Sequence, residues 1–424
     1  MNERKARFLN EVKNHISSKE AKEFVSFELE YHLMQVKKDW IGKGLSETDA
    51  EEKAVIQMGS PAKLGQELNK LHRPRVDWWM IGLLAITMGL SFLPLFALRD
   101  MLDDSYILHK IAHVILGSIA AVGMKLIDYR KLEKKGWLFY MGGVMLLLLI
   151  TYFPNLIING VAYFKIGSIE LGSMMALPFL FLSWASFFNN PRIKIWQHSI
   201  LFMIPVLLFM EVPNLSAVFI YTIMVFTMMW WSRIGKRTAM RITAVLLILI
   251  AAFIAMALST AKEYQLARIF GFLNPEKYPD SWGYMYLMLK ERFLTAGWFG
   301  PSAKSESLPF EHTDYVFVSL TYHYGYVFAI GLLLVLTLFA ARILFISNKI
   351  SNQYGILLLV GGLALYLIQF VYNVGMVAGL LPLTSMSLPF ISYGLMPTIF
   401  NAFIMGVVLS VYRRKDLTTS RVEG

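Results

Sequence analysis

From Trp78 onward the chain is a succession of apolar runs separated by short, mostly basic stretches. A backbone inside lipid has no water to bond, so each run must close its own hydrogen bonds as a helix or share them around a closed barrel. Helices need about 20 residues to cross the hydrocarbon layer, whereas barrel strands need about ten. Apolar segments fall near 78–98, 107–124, 137–153, 172–188, 195–210, 214–231, 242–260, 315–341, 355–378 and 389–412. Their lengths predict an all-α, polytopic membrane protein with about ten transmembrane helices. Composition agrees: 56% of residues are hydrophobic and 16% charged, against about 25% charged in a soluble domain.

The formal charge of +11 does not point to nucleic acid, because the basic residues sit in clusters between apolar runs. Lys125, Arg130, Lys131, Lys134 and Lys135 share one connection, Arg233, Lys236, Arg237 and Arg241 another, and Arg413, Arg414 and Lys415 follow the last run. With ten spans these three clusters lie on the side of the N-terminus, which the positive-inside rule makes cytoplasmic. A bacterial-type plasma membrane with both termini inside is the expected location, with membrane lipids as surroundings. The absence of cysteine excludes disulfides, thiolate catalysis and cysteine-ligated metals. Residues 1–75 are highly charged, so the run from Trp78 is expected to act as an uncleaved first span.

Residues 1–75 read as a separate cytoplasmic helical unit, and 76–424 as the membrane domain. Ser17 and Glu20 fit a capping box, Ser46 precedes an acidic first turn, and Gly59-Ser60-Pro61 suits one helix end and the next helix start. Phe24, Phe27, Leu29, Leu33 and Val36 recur at helical spacing and supply a modest core. One connection, 261–314, is far longer than the rest, and loops beyond about 15 residues are usually functional or disordered. Its aromatics, Tyr264, Phe270, Tyr284, Tyr286, Phe293 and Trp298, argue for order, and an amphipathic helix is expected over 282–295.

The loop ends in Leu308-Pro309-Phe310-Glu311-His312-Thr313-Asp314-Tyr315; then come Asn373-Val374-Gly375-Met376-Val377-Ala378-Gly379-Leu380-Leu381-Pro382 and Leu388-Pro389-Phe390-Ile391-Ser392-Tyr393-Gly394. Together these resemble the SEDS family, the FtsW/RodA/SpoVE proteins of elongation, division and sporulation. Tyr264-Gln265, Arg268-Ile269 and Phe272-Leu273-Asn274-Pro275 echo the start of the family's large outer loop. The resemblance implies a membrane glycosyltransferase that polymerises lipid II beside a class B penicillin-binding protein. It makes Asp314 the candidate catalytic residue, with Arg268, Glu311, His312, Thr313, Asn373, Ser392 and Tyr393 as substrate-binding candidates. Residues 1–75 lie outside it; Phe27 to Leu33 and Ala54 to Pro61 resemble small prefix domains of bacterial permeases.

The departures are equally specific. Phe310 stands where the family has Glu, and Tyr322-His323 where it has a Glu pair. Ala162-Tyr163-Phe164 and Gly172-Ser173-Met174-Met175 replace Arg-Trp-Ile and Gln-Pro-Ser-Glu, and Asn214 replaces the Asp of Pro-Asp-Leu-Gly-Thr. Two other classes therefore stay open, a lipid II flippase and a scaffold that recruits a transpeptidase.

Glycan polymerisation needs a base for the acceptor hydroxyl and cations for the departing diphosphate. Asp314 is placed for the first task, although Thr313 or Asp314 could instead cap the following helix. Arg268 is preferred for the second because a guanidinium fork fits phosphate oxygens, with Lys262, Lys290, Arg292 and Lys304 as other loop cations. Lys290, Glu291 and Arg292 read as a solvated helix face. A divalent cation is compatible with the chemistry, but no Asp/Glu cluster marks a metal site. His323 lies nine residues beyond Asp314, about 180° around a helix, and is assigned to the bundle interior.

Overall fold

The computed structural model describes residues 3–99, 101–158, 160–167, 169–260, 269–303 and 307–417. The chain divides into two compact units, Met1–Asp77 with Tyr412–Gly424, and Trp78–Val411.

The first unit packs four helices, α1 (Glu3–Asn14), α2 (Lys19–Gly42), α3 (Glu47–Gln57) and α4 (Pro61–His72). Ser18, not Ser17, caps α2 by accepting the Ala21 amide, while Ser46 accepts the Asp49 amide at the start of α3. Gly59, at φ +76°, ends α3 in the left-handed conformation that glycine adopts without a steric penalty. The core comprises Phe8, Leu9, Val12, Ile16, Ala21, Val25, Leu29, Leu33 and Ala54, and it includes Leu417 from the far end of the chain. Phe27, expected inside, is 67% exposed, because Ala21, Val25 and Leu29 define the buried stripe and Phe27 lies off it. Glu20, expected in a capping box, instead accepts bonds from Nε and Nη2 of the fully buried Arg414, both at 2.8 Å. Arg75 holds Asp416 at 2.7 Å and its amide bonds the Arg413 carbonyl. The tail is thus part of this unit, although its sequence continues the last span.

In the second unit every one of the ten apolar segments contains a helix. Among the described residues, six helical stretches are long and apolar enough to cross a membrane: Trp78–Ala97, Ser105–Leu126, Tyr129–Tyr152, Val316–Ser347, Gln353–Val377 and Leu395–Arg413. Their helices are α5 (Trp78–Leu90) with α6 (Leu93–Ala97), α7 (Ser105–Leu126), α8 (Gly136–Tyr152), α14 (Val316–Ser347), α15 (Gln353–Val377) and α16 (Leu395–Arg413). Between them lie α9 (Leu177–Asn189), α10 (Ile195–Glu211), α11 (Leu215–Trp230), α12 (Lys236–Thr260) and the loop helix α13 (Tyr284–Leu294). α15 and α16 form the centre, with 78% and 72% of their apolar windows buried, whereas α7 buries 17% and presents Leu108, Ile115, Ile119 and Val122 outward. The polar side chains of the central helices bond one another or nearby carbonyls, as when Asn401 reaches Gln369 at 3.4 Å and Pro397 at 2.9 Å.

Two features depart from the uniform helical reading. The connection after α8 forms an antiparallel meander, β1 (Leu156–Ile158), β2 (Val161–Ile166) and β3 (Ile169–Leu171), pairing Leu156 with Tyr163 and Lys165 with Glu170. Its sequence signal is Ile158-Asn159-Gly160-Val161, a tight-hairpin pattern. The last span starts at Leu395 rather than 389, because Phe390 (φ +65°) and Gly394 (φ +134°) turn the backbone out of helix.

α14 is broken at Gly325, whose φ is +86°. The Gly297–Gly300 turn enters the break: the Tyr326 amide bonds the Gly297 carbonyl at 3.0 Å and the Val327 amide bonds Trp298 at 3.2 Å. A Cβ at Gly325 would lie 2.3 Å from the Trp298 carbonyl oxygen. Gly325→Ala is therefore expected to lower thermal stability and to loosen the 297–303 turn, read as faster proteolysis there; unchanged melting and proteolysis would contradict this docking.

Candidate functional site

The His312-Thr313-Asp314 segment approaches the bundle as non-helical chain, so its carbonyls need partners from outside. Three residues of the recognised motifs provide them. The Tyr393 amide donates to the His312 carbonyl at 2.8 Å, the Ser392 hydroxyl to Thr313 at 2.7 Å, and the Asn373 side-chain amide to Asp314 at 2.8 Å. Ser392 Oγ also accepts the Leu388 amide at 2.8 Å, and Asn373 also donates to the Met386 carbonyl. The three segments that stood far apart in sequence thus form one hydrogen-bonded unit, with Asn373 and Ser392 holding backbone.

The segment turns sharply at Phe310, a half-exposed residue at φ +60°, where a side chain costs about 1–2 kcal/mol. The Thr313 amide and hydroxyl both return to the Phe310 carbonyl, at 3.0 and 3.2 Å. Tyr315 occupies the N-cap position of α14 and no side chain caps the helix, so neither Thr313 nor Asp314 acts as its cap. Among the described residues no group bonds or ion-pairs with the Asp314 carboxylate. Burial pushes it up to about 6. Tyr163 of β2 lies within its field, its phenol raised first by burial and then by Glu170 and Asp314.

His312 packs edge-on against Tyr106 and Tyr393, with ring centroids 5.6 Å apart in both cases. Burial lowers its imidazole, partly offset by Glu311, so at neutral pH it is an uncharged aromatic wall. Lys110, on the largely exposed α7, is completely buried and donates to the carbonyls of Phe390 and Ser392 at 3.2 and 3.1 Å. Sequence reasoning missed it, although a charge inside an apolar run was a sufficient signal. Lys110, Ser392 and Thr313 form a continuous relay of bonds from α7 to the candidate site.

Glu311 and Arg292 are corrections. Glu311, expected at substrate, is 3% exposed and bonds Arg292 at 2.7 Å, the Leu308 amide at 2.6 Å and Ser319 at 3.3 Å. Arg292, expected on a solvated face, is 2% exposed and lies 3.7 Å above the Tyr322 ring. Lys290 and Glu291 are exposed, and Lys290 pairs with Glu276. Tyr322, where the family carries Glu, gives the guanidinium an aromatic face instead of a second carboxylate. Asn214 still caps α11, accepting the Ala217 amide at 3.0 Å, and bonds Ser173 at 3.0 Å, so two departed motifs meet as a neutral pair. His323 lies beside Tyr322. Arg268, Lys262 and Lys304 lie outside the described residues. Among the described residues no group of three or more His, Asp or Glu could hold a metal ion.

The two carboxylates therefore differ in consequence. Glu311→Gln removes the carboxylate that the buried Arg292 bonds at 2.7 Å and is expected to cost about 3–5 kcal/mol of stability. Asp314→Asn has the opposite sign: a carboxyl raised on folding costs stability once pH exceeds its unfolded value, and costs it fully above about 6. Melting at pH 7.5 should thus fall for Glu311→Gln and hold or rise for Asp314→Asn; a reversed order would overturn these assignments.

The chain is similar to known proteins over most of its length. The profile of the FtsW/RodA/SpoVE family, described as cell cycle protein, matches residues 75–417. The probable peptidoglycan glycosyltransferase FtsW of Coxiella burnetii is 28% identical over 293 residues, 65% of this chain and 77% of that one. The peptidoglycan glycosyltransferase MrdB of Escherichia coli K12 is 27% identical over 332 residues, 74% and 87% respectively. Among solved structures, a chain from a peptidoglycan synthase complex of polymerization and crosslinking superposes with TM-score 0.70 at 24% identity, covering 80% of this chain and 98% of that one. Thermus thermophilus rod shape determining protein RodA superposes with TM-score 0.60 at 22% identity, covering 80% and 97%. A family match across most of the chain, joined to a fold shared with these proteins, makes this protein a member of the FtsW/RodA/SpoVE family.

Proposed function

We propose that this chain is a peptidoglycan glycosyltransferase that polymerises lipid II, with Asp314 as the general base. The observation that carries the reading is a carboxylate without a partner among the described residues, raised to about 6 and fixed by three backbone clamps where a membrane helix begins. Relatives covering most of the chain bear the names of peptidoglycan glycosyltransferases, which supplies the reaction class. In the step envisaged, Asp314 takes the proton from an acceptor sugar hydroxyl as that oxygen attacks the donor's anomeric carbon. The bond to the diphosphate breaks and the lipid diphosphate departs with its electron pair. Positioned proton transfer of this kind is worth about 10²–10⁴-fold. Asn373 and Ser392 act as positioning residues, and His312 and Tyr393 form an aromatic wall for the sugar. Arg268 is the proposed cation for the diphosphate.

In this reading both termini are cytoplasmic and the 261–314 loop is external, which follows from the three basic clusters. The proposed partner is a class B penicillin-binding protein. The scaffold reading draws on the lost carboxylates: Asn214 stands where the family carries Asp and forms a neutral pair with Ser173. The flippase reading has none, because the buried Lys110 is occupied by two carbonyls.

The test is lipid II polymerisation by the purified chain with its cognate penicillin-binding protein. Wild type is expected to polymerise, with a rate that climbs as pH rises through about 6 and levels off above it, since only the ionised carboxylate accepts a proton. Asp314→Asn is expected to lose on the order of 10²-fold or more while remaining folded. Polymerisation by Asp314→Asn at the wild-type rate would remove the base assignment, and an inert wild-type complex would favour the scaffold.

A reporter placed at Ser305 should read external, and reporters after Lys134 and Lys236 cytoplasmic. A cytoplasmic signal at Ser305 would overturn the orientation.

A further inference from the structure

α2 carries an apolar stripe that the other described residues of its own unit leave exposed. Phe27, Tyr31, Met34 and Ile41 are 67%, 53%, 49% and 42% exposed, while the buried residues Ala21, Val25, Leu29 and Leu33 of the same helix face its core. At 100° per residue the four exposed side chains, together with Glu23, Glu30 and Lys38, fall within a sector of about 100°. The stripe therefore has acids towards its N-terminal end and a base towards its C-terminal end. Glu23, Glu30 and Lys38 are themselves exposed and form no ion pair among the described residues.

This pattern is complementary to itself in the antiparallel sense. A two-fold axis through Met34 sets Phe27 of one helix opposite Ile41 of the other, and the same operation sets Glu30 opposite Lys38, twice. A closed two-fold contact needs such a self-complementary patch. We infer that the α2 face is a homotypic interface, through which two copies of this chain pair by antiparallel contact of their N-terminal units. The charges disfavour the alternative of a lipid surface, because Glu23 and Glu30 lie in the stripe and anionic headgroups would repel them. One helix face buries far less than the roughly 1,000 Å² of a stable soluble complex, so the contact is weak. Confinement of both partners to one membrane raises their effective concentration and makes a weak contact sufficient.

The natural chain has no cysteine, so a single introduced thiol reports the contact without background. In full-length protein reconstituted in vesicles, Met34→Cys is expected to give a disulfide-linked species of twice the chain mass on mild oxidation. His32→Cys, exposed on the far side of α2, is expected to give little. In the Met34→Cys background, Glu30→Lys or Lys38→Glu alone is expected to lower the linked fraction about fivefold to tenfold at low salt, and the two together to restore it. Equal linkage at positions 34 and 32, or a double exchange that fails to restore it, would overturn the inference. Protection of Met34→Cys from an aqueous thiol reagent without any dimer would overturn it in favour of the lipid surface.

Discussion

Three successive carbonyl groups, those of His312, Thr313 and Asp314, are held by Tyr393, Ser392 and Asn373, and the remainder of the candidate site depends on that grip. A chain segment between a left-handed turn and the first residue of a helix has no secondary structure to fix it, and unpaired buried carbonyls would cost about 1–3 kcal/mol each. The polar side chains of the two other motifs meet that cost by bonding backbone. Their bonds leave the Asp314 carboxylate outside the network, half-buried and without a counterion among the described residues, the environment that raises a carboxyl. Lys110 extends the grip to α7 by fixing the carbonyls of Phe390 and Ser392.

Beside this grip stands a second polar cluster with a structural purpose. Glu311 spends its oxygens on Arg292, the Leu308 amide and Ser319, while Arg292 lies over the Tyr322 ring. The pair ties α13 to the start of α14, and the Gly297–Gly300 turn enters the break at Gly325 from the same loop. The long connection is thereby anchored at two places on one helix. Substitution of the family's Glu by Tyr322 preserves this anchor through cation–π contact, so the loss of a carboxylate here is a change of partner chemistry.

Much of this was legible in the sequence, for a definite reason. Apolar run length is a one-dimensional property, and lipid leaves the backbone one local solution, so ten helices could be assigned to ten segments without tertiary information. The motif residues around Asp314 could be named because they occur in compact strings. The Asn-Gly pair in the sequence after α8 and Lys110 inside an apolar run are equally visible, but an all-helical expectation has no place for the first and run length takes no account of the second.

What only the tertiary structure decided is which polar group meets which. Local pattern made Arg292 and Glu291 neighbours on one solvated face, yet packing buries Arg292 against Glu311, nineteen residues away. The pattern also paired Glu20 with Ser17, but Glu20 binds Arg414, from the opposite end of the chain. Phe27 fitted a helical repeat and stands exposed, since periodicity does not say which of two faces has a partner. Backbone hydrogen bonds close within a few residues and can be read in order, whereas charges and side-chain amides are satisfied by whatever the folded chain brings within about 3 Å.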